Sequence, residues 1–139
     1  MTGESILRIE SRTTGGGTSA AEAGGRCYEK NGYHYVLFEV EGDSCRIKFN
    51  AKSLEYRRSG ELSYRLRFVP GEETAADMTT AYGVTGITCR THMYNEIIKE
   101  DEMVLNLSYN VADEDCDMRI TIRKKDPDQR VVPESGPDA

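Results

Sequence analysis

Residues 33–50 read YHYVLFEVEGDSCRIKFN, and the pairing of this stretch decides the architecture. Val36, Phe38 and Val40, then Cys45, Ile47 and Phe49, place an apolar side chain at every second position. Between them lies Gly42-Asp43, a turn signal, so the stretch reads as a hairpin with one apolar face. A two-residue turn at Gly42-Asp43 sets Val40 opposite Cys45, Phe38 opposite Ile47 and Val36 opposite Phe49. Arg46 and Lys48 fall on the other face with Leu37 and Glu39.

The same test extends along the chain. MVLNLSYNV, ADED and CDMRITIRKK (103–125) form a second hairpin. A four-residue loop there pairs Val111 with Cys116, Tyr109 with Met118, Leu107 with Ile120 and Leu105 with Ile122. Asn106, Ser108, Asn110, Arg119, Thr121 and Arg123 take the opposite face, the alternation of a sheet with one side on a core. Around Ser59-Gly60 only an odd loop keeps faces unmixed. Arg58-Ser59-Gly60 sets Tyr56 opposite Leu62 and Leu54 opposite Tyr64, with Gly60 at a left-handed bulge position. An odd loop near Lys99-Glu100-Asp101 turns Ile87, Cys89, Thr91 and Met93 inward, and leaves His92 and Tyr94 outward. Asn31-Gly32, the strongest short hairpin signal, sets Cys27 opposite Val36, Tyr28 opposite Tyr35 and Glu29 opposite His34.

Two stretches stand outside this pattern. Residues 13–25, TTGGGTSAAEAGG, read as a Gly/Ala-rich connector. Residues 126–139, DPDQRVVPESGPDA, read as an acidic, proline-containing disordered tail. The expectation is therefore one all-β domain over residues 1–125. It is an antiparallel up-and-down meander of about eight to ten strands, closed into a lipocalin- or calycin-like barrel that hides its edges.

Composition narrows the function classes. The 139 residues carry net charge −6, which argues against a dedicated nucleic-acid binder or a protein docked on an anionic membrane. No apolar run approaches a membrane span, and the amino terminus lacks a signal-peptide pattern, so the expected location is cytoplasmic. Cys27, Cys45, Cys89 and Cys116 contain no C-x-x-C pair and fall on core-facing positions, so they read as free buried thiols.

No constellation spells a reaction, and no cofactor is expected. The two histidines, His34 and His92, lie on different strands and share no carboxylate cluster, which disfavours a metal site. TTGGGTSAA lacks the Lys-Ser/Thr ending of a phosphate loop. Two functions remain. In the first, a non-enzymatic barrel holds a small apolar or amphipathic ligand, with Tyr56, Tyr64 and Tyr109 lining it and His34 and Glu29 at one mouth. In the second, a solid barrel meets an acidic protein partner through Arg46, Lys48, Arg57, Arg65, Arg67, Arg119 and Arg123, which repeat on outward positions.

The chain also resembles a family. The segments GRCYEKNGYHYVLFEVEG, RIKFN, LEYRRSGELSYRLRF, TTAYGVTGITCRTH, MVLNLSYNV and MRITIRKK are similar, in that order, to the YwiB-like family of small bacterial proteins of unknown function. The resemblance departs at Met78 and Ala81, where the family has tyrosine and proline. It implies a lipocalin-like barrel in the cytoplasm of a bacterium and no particular activity.

Overall fold

The computed structural model describes residues 1–125. Ten strands follow the chain: β1 (Gly3–Thr13), β2 (Gly17–Lys30), β3 (Tyr33–Val40), β4 (Asp43–Phe49), β5 (Leu54–Ser59), β6 (Tyr64–Phe68), β7 (Glu73–Thr80), β8 (Gly83–Ile98), β9 (Glu102–Val111) and β10 (Glu114–Lys124). They form one antiparallel sheet in the order β6-β5-β4-β3-β2-β1-β10-β9-β8-β7. The expected all-β meander is thus present, rolled into a nearly closed barrel. First and last strands pair with each other, and the opening falls mid-chain, between β6 and β7. One backbone bridge, Ser63 with Thr79, and the Thr74 hydroxyl donating to the Arg67 carbonyl at 2.7 Å cross that seam.

Outside the second half of β8, the face assignments derived from the sequence hold while several registers slide by even steps; there the loop to β9 is even, Ile98 pairing with Met103. The β3–β4 turn is Glu41-Gly42, both at positive φ, so Phe38 faces Cys45, Val36 faces Ile47 and His34 faces Phe49. Ala112-Asp113 likewise makes a two-residue turn, setting Tyr109 opposite Cys116 and Leu107 opposite Met118. The β5–β6 loop is odd, as expected, but longer: Arg58 pairs with Tyr64, Tyr56 with Leu66 and Leu54 with Phe68. The Asn31-Gly32 hairpin has the register read from sequence, Tyr28 opposite Tyr35 and Glu29 opposite His34. Even slides keep parity, so the same side chains meet the core.

Three expectations are corrected. Residues 17–25 are not a connector: they are the first half of β2 and pair along β1 from Thr13–Gly17 to Ser5–Gly25. Gly25 is small because a Cβ there would meet the Leu37 carbonyl at 3.0 Å. Gly60 is required not for a bulge but for contact, since a Cβ would overlap the Asp43 carboxylate. On β8 the parity changes at a bulge between Thr91 and Met93. Met93 therefore faces out, and Tyr94 turns inward and donates its hydroxyl to the Asn50 carbonyl at 2.7 Å. An inserted residue shifts all later side chains to the opposite face. The segment 126–139 lies outside the described residues.

The interior is filled by side chains. Val36, Ile47, Phe49, Leu54, Phe68, Met103, Leu105, Leu107, Ile120 and Ile122 are all 0–1% exposed. Each such burial stabilises the fold by roughly 1.5–3 kcal/mol. A water-sized void beside these side chains would leave part of their surface accessible, so the barrel is packed tightly around them. Cys27, Cys45 and Cys89 are buried free thiols and Cys116 is half-buried. Burial pushes the first three thiols up from their ordinary pKa, which keeps them unreactive.

Candidate functional site

The five residues expected to hold a small ligand fall into two separate groups. Tyr56 and Tyr64 stack with ring centroids 5.9 Å apart, Phe38 meets Tyr56 edge-on at 6.0 Å, and Tyr109 meets Phe68 at 4.8 Å. Burial raises the pKa of all three phenols, so they stay neutral. They pack as core aromatics do. None of them lines any of five surface concavities of about 190 to 780 Å³.

His34 and Glu29 lie elsewhere, at the Asn31-Gly32 end of β2 and β3. The His34 ring stacks on Phe49 at 5.0 Å, and its Nδ1 stands 3.7 Å from a Glu29 carboxylate oxygen. The Glu29 carboxylate accepts a hydrogen bond from the Met1 amine at 3.2 Å. That bond, and then the charges of the amine and His34, lower its pKa. His34 sits level with Phe49, Leu54 and Phe68, whereas Tyr56 lies two residues farther along and Tyr64, level with Arg58, four. The structure therefore does not bring the histidine and the tyrosines into one site. His92 is exposed, as expected, 3.8 Å from Asp115. No group of three or more His, Cys, Asp or Glu residues able to hold a metal occurs among the described residues.

The other candidate, the basic outer face, is more sharply built than the sequence suggested. The slid registers place Arg26 beside Leu37, Leu37 beside Arg46, Arg46 beside Arg57, and Arg57 beside Arg65. One lateral row thus crosses β2 to β6 with four arginines, each strand about 4.8 Å from the next. In the next row Tyr28, Tyr35, Lys48, Glu55 and Arg67 adjoin in order.

Some of these cations are fixed and others are free. Arg46 donates to Glu55 at 3.0 Å and lies over the Tyr35 ring at 5.8 Å. Lys48 sits over Tyr33 at 4.4 Å, and Tyr28 and Tyr35 stack at 4.7 Å with rings nearly parallel. The side chains of Arg57, Arg65 and Arg67 are exposed and make no ion pair or hydrogen bond to another described residue. Directly opposed like charges on a sheet are destabilising; Glu55 relieves Arg46, while Arg57 and Arg65 stay side by side without a carboxylate between them.

A buried ion pair secures the edge of that face. Asp43 accepts from Arg58 Nε at 2.8 Å and from the backbone amides of Glu61 and Leu62 at 3.0 and 3.4 Å. These bonds hold its carboxyl below the usual carboxylate range, the Arg58 bond most of all. Asp43 thereby ties the β5–β6 loop to the start of β4. Sequence reasoning places Asp43 in the turn itself and so misses this contact. The signal lies in Gly60, whose missing side chain makes room for the carboxylate.

The fold compares closely with a solved structure, the crystal structure of the ywiB protein from Bacillus subtilis. That chain is 19% identical, superposes with a TM-score of 0.83, and the match covers 89% of this chain and 93% of that one. At this identity the likeness speaks for the fold. No curated protein matches the chain. A family match spans residues 7–120, from the third position of the buried run in β1 to Ile120 on β10. It takes in β2 to β9 entire, most of β1 and β10, and the whole arginine row, and the chain belongs to the family described as Domain of unknown function (DUF1934).

Proposed function

We infer that this protein is a non-enzymatic interaction module that docks an acidic protein segment on the outer face of β2 to β6. The observation that carries this reading is the Arg46–Arg57–Arg65 row, in which three guanidinium-bearing residues are direct cross-strand neighbours. The chain as a whole is acidic, with net charge −6, so carboxylates were available and are missing from this row. A carboxylate-rich partner would relieve the repulsion and take bidentate bonds from Arg57 and Arg65. Leu37, 39% exposed between Arg26 and Arg46, adds an apolar contact. The packed interior weighs against the alternative of an enclosed apolar ligand.

Binding of a fluorescent twelve-residue peptide with glutamate at alternate positions tests this. Affinity should fall as salt rises, and Arg57→Glu with Arg65→Glu should weaken it tenfold or more while the melting temperature stays level or rises. Equal binding by the double variant overturns the reading. So does tighter binding of an RNA oligonucleotide of the same charge.

A further inference from the structure

Residues 17–24 of β2 have only one neighbouring strand among the described residues. They pair with β1 along their full length, but β3 reaches only to Gly25. Continuing that register puts Val40, the last residue of β3, level with Ala23. Beyond it the edge from Gly17 to Glu22 makes no other backbone bond among the described residues. Residues 17–21 are all exposed.

Natural sheets blunt such an edge with lysine, proline, a bulge or an inward charge. GTSAAE has none of these guards: its side chains are small, and Glu22 is its sole charge. An edge strand also meets a copy of itself antiparallel without any redesign, because one two-fold axis satisfies both strands.

We propose that two copies of this chain pair through β2, antiparallel across the Gly17–Glu22 edge, making one sheet continuous through both barrels. Charge selects a second copy as the occupant. With Ala20 on the two-fold axis, Glu22 of one copy lies opposite Thr18 of the other. Thr18 in turn neighbours Arg12 on β1. Glu22 and the second copy's Arg12 then stand on the same face, about 9.6 Å apart in strand spacing. Glu22 lies 3.9 Å from Arg8 of its own copy and Arg12 holds Asp117 at 3.0 Å, so the pairing joins these ion pairs into one run of alternating charge. Two such pairs form by symmetry, and Glu22 never meets its own copy. So short a pairing belongs to the weak, concentration-dependent class of interfaces.

Sedimentation velocity on the full chain from about 5 to 500 μM, the range where interfaces of this class assemble, tests the pairing. The weight-average coefficient should rise with concentration. Ala20→Lys, which sets like charges across the axis, should weaken dimerisation at least tenfold without altering the melting temperature. Ala20→Cys should oxidise to a symmetric disulfide dimer, since antiparallel neighbours hold their Cα atoms at a bridging distance. A monomer throughout the range overturns the proposal. So does a dimer that Ala20→Lys leaves unchanged or that Ala20→Cys does not cross-link.

Discussion

Two outer faces of one barrel solve the same problem in opposite ways. Across β9, β10 and β1 the polar side chains satisfy one another. Ser108 donates to Asp117 at 2.7 Å, Arg12 donates to Asp117 at 3.0 Å, and Arg119 donates to Asn106, which donates to Asn95, each at 3.1 Å. On β4, β5 and β6, arginine faces arginine, and the outermost have no partner among the described residues. Both faces alternate correctly and both bury the same core, so folding does not require the difference. The proposed docking of an acidic segment rests on this difference between the two faces.

The comparison can be broken most directly at Asp43. Asp43→Ala should lower the melting temperature more than any charge change on either outer face, because it strands the half-buried Arg58 and frees two loop amides. If β5 and β6 hold their place without Asp43, the arginine row does not depend on that lock. Acid titration makes the same point. The carboxyls of Asp43 and Asp117 both have pKa values lowered in the fold. Each therefore contributes stability that is complete above the unfolded value, about 3.9, and is lost as pH falls through the lower folded value. Asp43→Asn should flatten the acid limb of a stability–pH curve more than Asp117→Asn, since the Asp43 side chain is 6% exposed and the Asp117 side chain 52%.

Charge reversal gives smaller effects of opposite sign. Arg119→Glu loses the bond to Asn106 and faces Glu10 across the strand, and should cost about 0.5–1 kcal/mol in urea unfolding. Arg57→Glu sets a carboxylate between Arg46 and Arg65 and should stabilise by about 0.5 kcal/mol. Equal signs would erase the distinction between the faces. The smallest effect is ionic: raising salt should stabilise the parent by roughly 0.3 kcal/mol more than it stabilises Arg57→Glu, by screening the row.

Much of the fold is legible from residue alternation alone. Val36, Ile47 and Phe49, or Leu105, Leu107 and Ile120, disclose which side of each strand meets the core, because side-chain period in a strand is two. Alternation does not fix register, since a slide by two or four residues leaves every face unchanged. The turns at Glu41-Gly42 and Ala112-Asp113 lack the Asn-Gly signal that makes Asn31-Gly32 unambiguous. The arginine row stays hidden for the same reason: outward arginines are visible, but their lateral alignment exists only in the true register. The bulge after Thr91 has no signal of its own, so alternation puts Met93 and Tyr94 on the wrong sides. Low side-chain bulk makes residues 17–25 look like a linker, although β1 pairs with all of them.

The mid-chain seam has a kinetic consequence. Nine strand pairings hold the sheet, and eight join strands consecutive in sequence. The ninth, β1 with β10, ties Ser5 to Lys124 and must close a loop of nearly the whole domain. Its entropy cost falls in one step of assembly. A circularly permuted chain opened in the Pro70-Gly71 loop and joined from β10 to β1 would turn that pairing into a local one. Every registered strand pair of the sheet would then be a hairpin, and the permutant should fold faster than its parent while keeping the same barrel.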